Sequence, residues 1–220
     1  MRDRYTAIAG LLLAAVVVVA LLNELGGTDS GALGLDESPP RWPLPEFAVP
    51  AARGERLEGD ANIAQDDCET SQVPCPPDAR RVPACRVAER EAIRVCDFFD
   101  RPFVLSFWFS KGGDDCVDQQ DVLDSLYRRY RDRVHFLSLN VRDDRDEVRN
   151  LVRERGWQMP VGYDRDGAVA RLYGVAGCPT FAYAYPGGTL YRASFGLLGR
   201  GELLARIDAL LGASRRAGEA

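Results

Sequence analysis

The chain has a single histidine, His135, in 220 residues, and acidic residues outnumber basic ones, which gives a net charge of -5. An acidic chain lacks the positive surface that attracts a nucleic-acid backbone, so we expect no nucleic-acid partner. Zinc is also disfavoured, because no two cysteines lie at C-x-x-C spacing and the histidine is distant from most of them. We therefore expect neither a metal nor another cofactor. A four-thiolate site remains the alternative for Cys68, Cys75, Cys85 and Cys96.

Charged residues are absent from residues 5–23, a run of 19 positions. A helix rises about 1.5 Å per residue, so this run reaches about 28 Å and matches the hydrocarbon core of a bilayer. Arg2 and Arg4 precede the run, and basic residues favour the cytoplasmic side. We predict a signal anchor over residues 1–25, with the rest of the chain on the extracytoplasmic side. A cleaved signal peptide is the alternative, although residues 20–24 contain no A-x-A-like site.

Residues 26–43 are rich in glycine and proline, a composition typical of a flexible linker. Residues 44–100 are polar and short of apolar periodicity, and they contain four of the six cysteines. An exported chain folds in an oxidising compartment, where an even number of cysteines favours disulfides. We interpret this segment as an N-terminal strand followed by a disulfide-rich cap.

Within the cap, residues 82–97 contain two strand-like runs on either side of a turn. A hairpin there would place Cys85 opposite Cys96, so we expect a disulfide between them. Cys68 and Cys75 would then pair by elimination, although other pairings stay open.

From residue 101 onward, apolar residues follow strand and helix periods in turn. Residues 103–109 form a continuous apolar and aromatic run, typical of a strand buried on both faces. Helical and strand-like segments then alternate, and a hairpin precedes the final helix. The succession predicts an α/β core at residues 101–212, with a mixed central sheet flanked by helices. We expect a disordered tail at 213–220.

Short motifs occur along the chain in a fixed order. They read LPEFAVP at 44–50, FWFS at 107–110, MPV at 159–161, LYGV at 172–175 and PTF at 179–181. Together with the order of strands and helices, these motifs resemble thioredoxin and, more closely, the membrane-anchored TlpA/ResA-type redoxins. The resemblance implies a thioredoxin-like fold, exchange with protein thiols and disulfides, and a membrane thiol reductant as a further partner.

The chain departs from this family at the active-site turn. The family has C-x-x-C at the first turn of a helix, where the helix dipole stabilises a thiolate. This chain instead reads Gly113, Asp114, Asp115 and Cys116. Gly113 therefore stands where the exposed nucleophile is expected, and the family's acidic residue three positions after the second cysteine is Gln119. We expect Asp115 to be the N-cap of the helix.

A second thiol is present at Cys178, which immediately precedes Pro179. In thioredoxin-like proteins the matching proline is cis and faces the active-site helix, so the resemblance implies that Cys178 lies beside Cys116. We therefore predict Cys116, Cys178 and Pro179 as the catalytic residues. The alternative is a permanent disulfide, which would stabilise the fold without exchanging.

Three functions are consistent with these residues. The first is a membrane-tethered, extracytoplasmic thiol-disulfide oxidoreductase that uses Cys116 and Cys178, with Cys116 as the attacking sulfur. The second is a redox-inactive thioredoxin-fold module for binding or assembly. A peroxiredoxin-like peroxidase is the third, although Gly113 occupies the Ser or Thr position of the P-x-x-x-[ST]-x-x-C motif.

Overall fold

The computed structural model describes residues 42–53 and 83–218, together with the backbone of 64–65, 69–70 and 73–74. The predicted anchor at 1–25, most of the predicted linker, and both Cys68 and Cys75 lie outside the described residues. In the described part of the chain, no helix is both long enough and apolar enough to cross a bilayer.

Ten strands and four α-helices form in these residues. The strands are β1 (Phe47–Pro50), β2 (Ala64–Gln65), β3 (Glu69–Thr70), β4 (Val73–Pro74), β5 (Ala92–Arg94), β6 (Phe103–Trp108), β7 (His135–Val141), β8 (Val161–Asp164), β9 (Thr180–Ala184) and β10 (Leu190–Phe195). The helices are α1 (Asp114–Tyr130), α2 (Arg145–Glu154), α3 (Ala168–Leu172) and α4 (Arg200–Gly218). Short 3₁₀ helices occur at Ala84–Arg86, Val95–Phe98 and Ser110–Gly112.

The central sheet has five strands in the order β10-β9-β6-β7-β8. Strands β6, β7 and β8 are parallel, whereas β9 runs antiparallel to β6 and β10 antiparallel to β9. All six residues of β6 are buried, as the continuous apolar run of this segment predicts. The predicted mixed sheet flanked by helices, and with it the thioredoxin-like fold class, is confirmed.

Alternate side chains of β6 pack into two cores, one on each face of the sheet. Phe103 and Phe107 belong to the core that includes β1 and α3, where the ring of Phe107 contacts Tyr173 at 5.2 Å between centroids. Trp108 belongs to the core that includes α1 and α4, and it packs edge-on against Trp157. The residues after β6 therefore emerge between two filled layers.

The predicted hairpin at 82–97 is wrong. Cys85 and Cys96 lie on separate 3₁₀ helices, and β5 pairs with β1 in a small sheet of order β2-β1-β5. Strand β1 is buried on every residue, so it offers a better partner to β5 than an exposed hairpin arm would. The two cysteines nevertheless form a disulfide, with their Cα atoms 5.6 Å apart.

The expected tail at 213–220 is also wrong over residues 213–218, because α4 continues to Gly218. Leu203, Ile207, Leu210 and Ala213 are buried at intervals of three or four residues. This apolar stripe holds the end of the helix against the sheet.

Candidate active site

Cys116 is the third residue of α1, directly after β6 and a short 3₁₀ helix. The N-cap is Gly113 and no side chain caps the helix, so the expectation that Asp115 is the N-cap is wrong. The backbone N–H of Cys116 donates to the carbonyl of Gly113 at 3.3 Å. Cys116 therefore lies in the first turn, where the partial positive charge of the helix N-terminus favours a thiolate.

Cys178 enters the site from the loop before β9. The peptide bond between Cys178 and Pro179 is cis. Hydrogen bonds fix this loop on both sides: Thr180 Oγ1 donates to the carbonyl of Gly177 at 2.7 Å, and the N–H of Gly196 donates to the carbonyl of Pro179 at 2.9 Å. Cys178 is thus held rigidly at the edge of the active-site helix.

Cys116 and Cys178 form a disulfide although 62 positions separate them, and their Cα atoms are 6.0 Å apart. The two halves differ in exposure. Cys116 is only 4% exposed, whereas Cys178 is half-buried. An incoming sulfur therefore has better access to Cys178 than to Cys116.

Gly113, three residues before Cys116, has φ of +100° and ψ of 165°. This backbone region is essentially restricted to glycine. A Cβ at Gly113 would meet no atom within 4 Å, so the restriction comes from the backbone and not from crowding. The turn is therefore built for glycine at this position.

A buried carboxylate, Asp143, anchors the same turn. Its Oδ2 accepts hydrogen bonds from the backbone N–H of Ser110 and from Asn140 Nδ2. The hydroxyl of Ser110 also donates to Glu147 Oε1 at 3.0 Å. The sequence does not predict this role, because Asp143 lies in a run of charged residues at 142–149. Such a run is typical of a helix cap and a solvated helix face. Asp144 is the cap of α2, accepting from two backbone N–H groups.

Gln119 lies one turn after Cys116 and is buried. Its Oε1 accepts a hydrogen bond from the N–H of Leu198 at 2.8 Å, while its Nε2 has no partner among the described residues. An amide cannot exchange protons near neutral pH as a carboxylate can. Gln119 consequently ties α1 to the loop before α4 and offers no acid or base to the disulfide.

His135 is distant from this chemistry, as the sequence predicts. It begins β7 beside Phe103, at the end of β6 opposite to Cys116. Its Nε2 contacts Asp100 Oδ1 at 2.6 Å. Desolvation acts to raise the pKa of Asp100, but the hydrogen bond and the charge of His135 lower it overall.

Glu46, Cys85 and Cys96 place one possible ligand atom each within 4.8 Å of one another. Zinc requires thiolates, and both sulfurs are already joined to each other. The donor set therefore does not fit a metal ion.

Two solved structures illustrate the likeness of the fold. A thiol:disulfide interchange protein of the thioredoxin family from Chlorobium tepidum has 13% identity and a TM-score of 0.57, covering 79% of this chain and 99% of its own. A DsbF homologue from Corynebacterium diphtheriae has 15% identity and a TM-score of 0.57, covering 81% of this chain and 92% of its own. No curated protein sequence matches the chain.

The sequence profile of the AhpC/TSA family matches residues 80–197, which is more than half of the chain. This stretch includes the two 3₁₀ helices joined by Cys85 and Cys96, the first turn of α1, and the loop with the cis proline. The chain therefore belongs to the AhpC/TSA family.

Proposed function

We propose that this chain is a thiol-disulfide oxidoreductase whose working pair is Cys116 and Cys178, with Pro179 positioning the second cysteine. The observation that carries the proposal is a cysteine pair between the first turn of a helix and a cis-proline loop. Cys178 is half-buried, whereas Cys116 is buried at the helix N-terminus. Its substrates would be protein thiols and disulfides.

Exchange begins at the exposed sulfur. A substrate thiolate attacks Sγ of Cys178, the bond to Cys116 breaks, and Cys116 leaves as a thiolate while a mixed disulfide forms on Cys178. The second substrate thiol, after losing its proton, attacks the substrate sulfur of that mixed disulfide and releases the Cys178 thiolate. Two electrons and two protons pass to the enzyme pair, and the substrate leaves as a disulfide.

The reverse sequence reduces a substrate disulfide, with Cys178 as the attacking thiolate and Cys116 as the resolving one. A membrane thiol reductant would then restore the dithiol. In both directions the mixed disulfide forms on Cys178. In the reductive direction Cys178 is the attacking sulfur, whereas the sequence led us to expect Cys116. The helix N-terminus favours Cys116 as a leaving thiolate, whereas the carboxylates of Asp114 and Asp115 act against it.

We also propose that the chain is tethered to a membrane by residues 1–25 and acts on the extracytoplasmic side. Support comes from the uncharged run at 5–23 and from the basic residues before it. The full chain should sediment with membranes and be released by detergent but not by salt. A soluble mature form that begins near Glu24 would contradict this.

One observation favours the binding or assembly module, namely that Cys116 is almost completely buried in its disulfide. The two functions predict different reduction potentials for the pair. A working couple should have a potential above about -300 mV, whereas a structural disulfide should lie below it.

The full chain is tested for reduction of insulin disulfides, and the potential of the pair is measured by equilibration with thiol buffers. Cys116→Ser and Cys178→Ser should each abolish turnover. The Cys85→Ser and Cys96→Ser double variant is the matched control, since it removes a disulfide from the cap and should retain turnover. Absence of turnover in the unmodified chain, with a potential below about -300 mV, would contradict the oxidoreductase and leave the binding module.

A further inference from the structure

A pocket of about 320 Å³ lies on the face of the sheet that carries α3. One of its walls is the segment that ends at Gly177, the residue before Cys178. A volume of this size accommodates one or two side chains. Any polypeptide bonded to Cys178 would therefore have its neighbouring side chains within reach of the pocket.

The pocket is lined by apolar and basic side chains. Phe107, Val141 and Ala170 contribute apolar surface to the lining. Lys111, Arg142 and Arg171 contribute the charged groups, and no carboxylate is among the described residues that line the pocket. A pocket lined by three cations and by apolar side chains is complementary in charge and polarity to an acidic side chain next to an apolar one.

Two of these three cations are hydrogen-bonded to a backbone carbonyl. Arg142 Nε and Arg171 Nη1 donate to the same backbone carbonyl, that of Asp166, at 3.3 Å and 2.9 Å. In the described ranges of the chain, none of the three forms an ion pair with a carboxylate. Their charge is therefore available to a ligand.

The position of Arg142 is fixed by a glycine. Gly167 has φ of +69°, and a Cβ there would lie 2.7 Å from Arg142 Nε. Arg142 is itself the one non-glycine residue of the described chain with positive φ. The Arg142 side chain thus packs closely against Gly167, and both residues line the pocket.

We propose that this pocket binds an acidic side chain, with an apolar neighbour, in the substrate polypeptide close to its reacting cysteine. The proposal rests on the proposed function, because the pocket is placed to select substrates only when the mixed disulfide forms on Cys178. The occupant is a segment of the substrate protein, and a free small carboxylate is the competing occupant that the test separates.

The test compares two dithiol peptides of equal length that differ only beside the cysteine, one with Glu-Phe and one with Lys-Phe. The full chain should oxidise the acidic peptide with a kcat/KM about fivefold higher, a difference expected for partly exposed charge pairs. The Lys111→Gln and Arg171→Gln double variant should lower this ratio, because only Arg142 then remains of the three cations. Arg215→Gln removes a charge from an exposed site on α4, across the sheet, and should leave the ratio as it is.

A second measurement does not depend on redox chemistry. Peptides with serine in place of cysteine are labelled, and their binding to the full chain is followed by fluorescence anisotropy. The acidic peptide should bind more tightly, and the difference should shrink at high salt. If turnover is absent but this preference is present, the proposed function fails and the pocket assignment stands.

Equal binding of the acidic and basic peptides would overturn the pocket assignment, whether or not turnover is observed. Displacement of the peptide by free glutamate at equal concentration would also overturn it, since the site would then recognise a small anion and not a polypeptide segment.

Discussion

Cys178 is the more exposed half of a disulfide whose other half, Cys116, is 4% exposed in the first turn of α1. In a C-x-x-C turn, by contrast, both cysteines belong to the same helix and the first is the exposed one. Here the helix supplies the buried partner and the cis-proline loop supplies the accessible one. Single substitutions of Cys116 or Cys178 can therefore show which of the two sulfurs attacks the substrate.

Cys116→Ser should accumulate a mixed disulfide on Cys178 when the reduced full chain meets a substrate disulfide. The reason is that Cys178 can attack but no second thiol is then present to resolve the product. Intact-mass and peptide-mass measurements identify the modified residue.

Cys178→Ser is the matched control for this prediction. Its remaining thiol, Cys116, should react roughly tenfold more slowly, because a thiol must be accessible to attack. Faster trapping on Cys116 than on Cys178 would contradict the assignment of the attacking sulfur.

Asp143→Ala should lower the free energy of unfolding by about 2 kcal/mol. The N–H of Ser110 and the amide of Asn140 would both lose their acceptor, and an unsatisfied buried donor costs about 1 to 3 kcal/mol. Urea unfolding measures the change, and a slower thiol exchange should accompany it because the turn before α1 loses its anchor.

Asp143→Asn retains a carbonyl oxygen at this position and should be destabilised less. Asp144→Ala removes only the cap of α2 and should cost about 1 kcal/mol without slowing exchange. If Asp143→Ala and Asp144→Ala behave alike in both assays, Asp143 has no particular role at the turn.

The sheet could be predicted from the sequence because its signals are local. Strand β6 is apolar and aromatic except for Ser106, and each strand or helix after it has its own period. No local sequence pattern indicates that Cys116 and Cys178 lie side by side, because 62 positions separate the two residues. Only the resemblance to thioredoxin indicated it.

The errors share a physical cause, because each depends on contacts between distant segments. The hairpin prediction at 82–97 failed since β5 finds a fully buried partner in β1, more than 40 positions earlier. Asp143 lies in a run of charged residues, a pattern typical of a solvated face, yet it is buried against Ser110, which lies 33 positions away. Sequence patterns describe the exposure of an element but not the partner that covers it.

Gly113→Cys should not restore ordinary C-x-x-C activity. A residue with a Cβ is strained at φ of +100° and ψ of 165°, which costs about 1 to 3 kcal/mol. Unfolding in urea should show this loss, and Gly113→Ala should show the same loss without adding a thiol. A Gly113→Cys chain of unchanged stability and increased turnover would contradict the prediction.

Tyr163→Phe should reduce the loss of unfolding free energy that occurs at alkaline pH. The hydroxyl of Tyr163 donates to the backbone carbonyl of Asp143 at 2.6 Å, and burial followed by the negative charge of Asp144 raises the pKa of Tyr163 to about 12. The pKa in the unfolded chain is 10.0, so folding favours the neutral phenol. This contribution is fully present below pH 10 and is lost as the pH rises through 12.

The free energy of unfolding of the unmodified chain should therefore fall steeply between these two pH values, and that of Tyr163→Phe should fall less. Burial also raises the pKa of Tyr173 well above 10, so part of the alkaline loss should persist in the variant. Asp144→Asn keeps a capping side chain but removes the charge next to Tyr163, and it should lower the pKa of that phenol in an ultraviolet titration of tyrosinate. Parallel stability profiles of Tyr163→Phe and the unmodified chain from pH 8 to 12 would contradict this prediction. They would show that the Tyr163 phenol has the same pKa in the folded and the unfolded chain. The contact with Asp143 would then not hold its proton.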